Sequence, residues 1–160
     1  MTWGATLLGC QRGRETEKAL ADAAQSYDRL KPGLARVRSV LGEVHKGADE
    51  LSTRVPGGPA WRGKVLALDE VVGVLDAKIK WWLPGELEAA KKARNQEQAS
   101  KVRDDIALAA REIDQAGKTA LDLAHEKARL QRQAALLGPA APKVEAEKRE
   151  PARRARRRRP

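Results

Sequence analysis

The sequence is poor in aromatic residues and in cysteine. Its 160 residues include no Phe, one Tyr, four Trp and one Cys. A thick, multilayered core needs large side chains, so an interior filled by Ala, Leu and Val favours thin, closely spaced helices. A lone cysteine excludes an intrachain disulfide and a Cys-x-x-Cys motif. No run of about 18 apolar residues occurs, which excludes a membrane-spanning helix.

Motifs for catalysis and metal binding are also missing. The chain has neither a glycine-rich phosphate loop nor a Gly-x-Ser-x-Gly nucleophile turn. Its two histidines, His45 and His125, fall on different predicted helices; their partners four residues ahead are Asp49 and Arg129, and only the first of these could be a ligand. A metal site would need more ligands in a buried setting. We therefore predict that the protein is not an enzyme and that it has no metal or cofactor.

Apolar residues recur instead at alternating spacings of three and four. The first row is Leu20, Ala23, Tyr27, Leu30, Leu34, Val37, Leu41, Val44, Ala48, Leu51 and Val55; the second is Trp61, Val65, Leu68, Val72, Leu75, Ile79 and Trp82; the third is Val102, Ile106, Ala109, Ile113, Ala116, Ala120 and Leu123, resuming at Leu130, Ala134 and Leu137. This spacing is typical of a coiled coil or helical bundle. The sequence therefore predicts an all-α, elongated bundle.

Proline and glycine divide the bundle, residues 14–138, into about three long helices. The spacing keeps its phase through Pro32-Gly33, which favours one kinked helix there over two separate helices. The predicted limits are Arg14 to Thr16 for the start of the first helix, Pro56-Gly57-Gly58-Pro59 for its end, Pro59–Leu83 for the second helix and Glu86–Leu137 for the third, which Gly138-Pro139 terminates. The predicted third helix is longer than the second. Part of it should therefore extend beyond the second helix, and we expect self-association through this overhang of the third helix.

Three residues of the predicted helices have positions from which we make separate predictions. Trp82 continues the second row, so we expect it to cap the core at one end of the helix, as Trp61 does at the other. Trp81 is then turned by about 100° and at least partly exposed, which makes it a candidate interaction surface for a membrane interface or a partner. Lys127 occupies a seam position of the third row, where a charge costs stability.

The single cysteine lies at the end of a short apolar leader, residues 1–13. The segment Leu7-Leu8-Gly9-Cys10 resembles the lipobox of bacterial lipoproteins, in which a Leu lies three residues before the cysteine and a small residue directly before it. The resemblance implies that Cys10 is diacylated and that the protein is anchored on the periplasmic side of a membrane in the cell envelope. Two acyl chains would anchor it stably. The alternative is a cytoplasmic chain with an incidental reduced thiol.

The C-terminal segment, residues 139–160, has too few apolar residues to offset the entropy of ordering, so we predict disorder there. Residues 143–160 hold nine basic and three acidic side chains, which accounts for six of the ten net positive charges. The candidate anion-binding residues are Arg153, Arg154, Arg156, Arg157, Arg158 and Arg159. Guanidinium groups suit phosphate and carboxylate partners.

Two functions remain open from the sequence. The first is a lipid-anchored envelope protein with a structural or adaptor role, whose tail contacts anionic lipid or an envelope polymer. The alternative is a cytoplasmic helical scaffold that binds nucleic acid without sequence preference through the same tail. The tail has no aromatic residue on which bases could stack.

Overall fold

The computed structural model describes the backbone of residues 4–138 and the side chains of residues 13–138. Within these residues every regular element is helical, which confirms the all-α helical bundle. The elements are α1 (Gly4–His45), α2 (Ala48–Arg54), α3 (Gly58–Ala77), a π-helical turn (Lys78–Trp82), α4 (Leu83–Ala93) and α5 (Gln96–Leu136). The described residues thus hold more helices than the three predicted. The prediction of a disordered tail concerns residues outside this range.

The first helix is longer than the sequence predicts at one end and shorter at the other. It begins at Gly4 rather than near Arg14, and it passes through Pro32 without interruption, as the unbroken apolar spacing predicts. It ends at His45, where Gly47 takes a left-handed conformation with φ of 75° that most residues disfavour. The short helix α2 follows this turn, so the apolar row from Leu20 to Val55 spans two helices.

The predicted boundary at Leu83-Pro84-Gly85 is wrong. The helix continues through Pro84 to Ala93 because a π-helical turn precedes the proline. The wider turn bonds the N–H of Leu83 to the carbonyl of Lys78, so the chain can pass a residue that has no N–H. The break comes instead at Arg94, which has a left-handed φ of 51°.

The last helix, α5, accordingly begins ten residues later than predicted. Asn95 caps it, since its Oδ1 accepts a hydrogen bond of 2.8 Å from the N–H of Gln98. The break lies inside the polar stretch between Lys91 and Lys101, where few apolar side chains are available to hold two helices in line. At its other end α5 stops at Leu136, and Gly138 is left-handed with φ of 79°, so the predicted glycine stop is confirmed.

These helices form three arms that run up, down and up. We call α1 with α2 the first arm, α3 to α4 with the π-turn the middle arm, and α5 the last arm. The first and last arms are parallel: a Cβ placed on Gly33 would lie 3.3 Å from Ile113, and one on Gly117 would lie 3.6 Å from Val37. The two arms are still side by side at the far end, where Arg54 donates to the carbonyl of Gly138 at 2.8 Å.

The middle arm is antiparallel to both of its neighbours. Lys64 of α3 pairs with Glu126 of α5 at 3.0 Å, whereas Lys78, farther along the middle arm, pairs with Glu112 at 2.9 Å. On the other side, Arg38 of α1 pairs with Asp76 at 2.9 Å. Because the middle arm extends to Ala93, the described part of α5 is accompanied along its length. The predicted overhang of the third helix is therefore absent from the described residues.

The core is the row of buried residues that faces inward from every arm. Small residues of α5 (Ala99, Ala109, Ala116 and Ala120) are almost fully buried and allow the arms to approach closely. Trp61 is completely buried and its Nε1 donates to the carbonyl of Leu123 at 3.1 Å, so its predicted role as a core cap is confirmed. The matching prediction for Trp82 is wrong, because the π-turn shifts the phase and Leu83 takes the buried position.

Candidate interaction surfaces

The parallel first and last arms separate the two candidate binding segments. Cys10 lies in α1 near its beginning, although its side chain is outside the described part of the structure. The tail that carries Arg153 to Arg159 is also outside it, and the residue range from which it continues, the end of α5, is at the opposite end of the bundle. Helix α5 has 41 residues, or roughly 60 Å at 1.5 Å per residue. The chain therefore holds the beginning of α1 and the end of α5 a full bundle length apart.

The side of the middle arm that faces away from the core carries a second apolar surface. We call this the outer strip: Ala67, Val71, Val74, Trp81 and Trp82. Val74 is 68% exposed, Trp81 78% and Trp82 41%. Adjoining grooves run along these residues, bounded on one side by Glu112, Gln115 and Thr119 of α5. The expected exposure of Trp81 is thus observed, and it belongs to a surface about 25 Å long by its helical rise.

Charged side chains border the outer strip. Lys78 has its ammonium bound to Glu112 and positioned 5.7 Å from the ring centre of Trp82, a distance suited to a cation–π contact. On the side of the middle arm that faces α1, away from the strip, Lys80 pairs with Asp76 at 2.7 Å, and hydrogen bonds from Lys80 and then Arg38 hold the pKa of that carboxyl below its usual range. Glu70 lines the same groove and is exposed, and it forms no ion pair with any side chain in residues 13–138.

Of the residues of the strip, only Trp81 was predicted from the sequence to form an interaction surface. The signal was present: Ala67, Val71 and Val74 precede Lys78 and Trp81 at spacings of four, three, four and three. This second row lay beside the stronger row from Trp61 to Ile79, which was assigned to the core. Helix α3 is therefore apolar on two faces. A helix with apolar residues outside its core-facing stripe usually packs against another element on that second face as well.

The histidines form no metal site in the described part of the chain. His45 lies 3.8 Å from Asp69 rather than beside Asp49, and Asp49 pairs with Arg62. His125 is exposed on α5. Across residues 13–138 no three ligand-type side chains are grouped as a metal would require. No helix among the described residues is long and apolar enough to cross a membrane.

The charge at the third-row seam has a specific partner. Lys127 lies between Leu123 and Leu130, both buried, and its ammonium donates to the backbone carbonyl of Glu43 on α1. Partial burial lowers the pKa of Lys127, and nearby Glu43 opposes that effect. The contact fastens α5 to the end of α1 but keeps a cation on the core side of the helix.

The comparisons with known proteins identify no relative: no protein-family model, curated protein or solved structure matches the chain.

Proposed function

We propose that the protein is a non-enzymatic, lipid-anchored spacer of a bacterial envelope. Cys10 is its acylation site, and the arginine-rich tail contacts an anionic surface, either lipid headgroups or an envelope polymer. The observation that carries the proposal is the parallel course of the first and last arms, which keeps α1's beginning and α5's end a bundle length apart. A rod with different binding segments at its two ends can hold two surfaces at a fixed separation.

The packing of the bundle supports this mechanical role. The buried side chains of the three arms keep the spacing of three and four that coiled coils use. Coiled-coil packing of the arms would make the rod stiff along its axis. The only bound group that this role requires is the acyl chains on Cys10, and their two hydrocarbon tails would prevent release from the membrane. The role needs no cofactor and no substrate.

The anchor is tested by expressing the gene with its native upstream region and fractionating the cells. We expect the wild type in the membrane fraction with an intact mass that begins at an acylated Cys10, and we expect the Cys10→Ser variant to lose both the added mass and the membrane association. Cys10 is the sole cysteine, so no other thiol can replace it. A soluble, unmodified chain that retains Met1 to Gly9 would contradict the proposal.

The tail is tested separately with the purified chain. Changing the six arginines of residues 153–159 to Gln should abolish binding to vesicles of anionic lipid and leave the helix content by circular dichroism unchanged. Lys143, Lys148 and Arg149 remain in this variant, so the comparison isolates the arginine run. If the wild type is unacylated and binds duplex DNA with steep salt dependence through these arginines, the cytoplasmic nucleic-acid scaffold replaces the envelope spacer.

A further inference from the structure

We propose that the outer strip of the middle arm binds the same strip of a second copy of this chain, with the two α3 helices antiparallel. This inference does not depend on Cys10 or on the tail. It begins from the exposure of Val71, Val74, Trp81 and Trp82 in one continuous row. Contiguous apolar surface of this kind on a soluble helix is characteristic of an interaction site.

The spacing of the strip indicates what kind of element covers it. Positions 67, 71, 74, 78 and 81 follow each other by four, three, four and three, which is the seam that receives another α-helix. The groove floor between α3 and α5 is almost entirely apolar, whereas its rim has Lys64, Glu112 and Gln115. An amphipathic helix with an apolar seam and charged flanks fits this surface, and α3 itself is such a helix.

Charge complementarity selects a second copy in the antiparallel orientation. When the two-fold axis passes between Val71 and Val74, each Val71 meets Val74 of the other copy. Glu70, which has no ion pair of its own in the described residues, then lies near Lys78 of the other copy. A parallel arrangement would place Glu70 against Glu70 and Lys78 against Lys78, which is unfavourable.

Size complementarity selects the same arrangement. The small Ala67 is at one end of the strip and the large Trp81 at the other, so an antiparallel pair keeps the two Trp81 side chains at opposite ends of the interface, each about one turn from Ala67 of the other copy. It also brings Lys64 of each copy towards the face of Trp81, where a cation–π contact can form. The strip is short, and an interface below about 1,200 Å² is weak. We therefore expect a reversible dimer that dissociates on dilution.

Sedimentation velocity over a concentration series tests the dimer, with the full chain and two matched substitutions. Val74→Glu places a charge in the centre of the strip, and we expect it to raise the dimer dissociation constant at least tenfold. Leu66→Glu is the control, because Leu66 is, like Val74, an exposed apolar residue of α3 (49% against 68%) but does not line the strip. Leu66→Glu should dimerise as the wild type does. Circular dichroism should show the same helix content in all three chains.

Two results would overturn the assignment. A wild type that stays monomeric at every concentration, or a dimer weakened equally by both substitutions, would show that the strip is not the interface. In the first case, anionic vesicles provide the next measurement: binding that Val74→Glu abolishes and Leu66→Glu preserves would assign the strip to a membrane surface instead.

The orientation has its own test, by disulfide cross-linking in a Cys10→Ser background. An antiparallel pair predicts that a mixture of Val71→Cys and Val74→Cys chains forms more cross-linked dimer than either variant alone. Each variant alone cross-linking more efficiently than the mixture would indicate a parallel pair and would contradict the charge argument.

Discussion

Lys127 is a charged residue at a position of the seam that apolar residues otherwise occupy, and its partial burial affects the stability of the fold. Its ammonium is partly buried between the first and last arms, and burial is the largest effect on its pKa, which is lowered. The folded protein therefore binds this proton less tightly than the unfolded chain does. By linkage, this charge weakens the fold at neutral pH, and the penalty disappears as the pH rises through the folded pKa towards the ordinary lysine value.

Lys127→Met should consequently stabilise the protein at pH 7, by about 0.5–1 kcal/mol in urea unfolding. We expect the apolar thioether, which follows Leu123 and precedes Leu130 in the seam, to contribute more than the loss of one hydrogen bond to Glu43 costs. The difference from the wild type should shrink as the pH rises through the lowered pKa of Lys127 towards the ordinary lysine value. Lys118→Met, at an exposed position of the same helix, is the control and should show neither effect. A destabilised Lys127→Met would mean that the bond to Glu43 outweighs burial.

At the scale of the element, the π-turn has a consequence for the carbonyl of Ile79. Its usual helical partner, the N–H of Leu83, is bonded to Lys78, and the next residue, Pro84, has no N–H. The hydroxyl of Tyr27 on α1 supplies the missing hydrogen bond, at 2.7 Å. The single tyrosine of the chain thus compensates for the proline that interrupts the middle arm, and it joins the first and middle arms at that point.

Tyr27→Phe should therefore destabilise the protein by about 1–3 kcal/mol, because it leaves a partly buried carbonyl without a donor. In a Pro84→Ala background, residue 84 regains an N–H that can bond within the helix, so the cost of Tyr27→Phe should fall markedly. A double-mutant cycle by chemical denaturation measures the difference. Equal costs of Tyr27→Phe in both backgrounds would show that the hydroxyl does not compensate for the proline.

The same π-turn explains which elements the sequence could predict. The apolar rows predicted the buried residues well up to Ile79, because α-helical periodicity holds that far. After the turn the phase shifts by one residue, so Leu83 is buried and Trp82 is exposed. A π-turn has no distinctive local sequence signal, and Leu83-Pro84-Gly85 instead suggested a helix end. The boundary at Arg94 was hidden for a similar reason, since left-handed arginine is uncommon.

The candidate surfaces were only partly predictable. Cys10 and the arginine run can be recognised in the sequence, because Cys10 is the sole cysteine and residues 153–159 hold six arginines. The outer strip was not recognised, because a row of small and medium apolar residues resembles core until the other arms are placed. Only the arrangement of the three arms shows that α1 and α5 leave the second apolar face of α3 uncovered.

At the scale of the whole molecule, the distance between the two ends is the property that the proposed spacer needs. By the parallel register, Arg54 is level with Gly138, and 44 residues of the first arm separate Arg54 from Cys10. At the helical rise this corresponds to roughly 65 Å. A bundle in which the first and last arms were antiparallel would instead bring Cys10 and the end of α5 within the width of the bundle, roughly 20–30 Å.

Spin labels on Cys10 and on Leu137→Cys should therefore give an electron–electron distance near 65 Å in the purified, unacylated chain. Leu137 is 63% exposed, so the substitution leaves the core intact. The matched control pairs Leu137→Cys with Thr53→Cys in a Cys10→Ser background, and it should give a short distance because both labels lie at the same end. If the long distance is replaced by a short one, the first arm folds back on itself. The rod could then not separate an anchor from the tail, even if both segments bind as proposed.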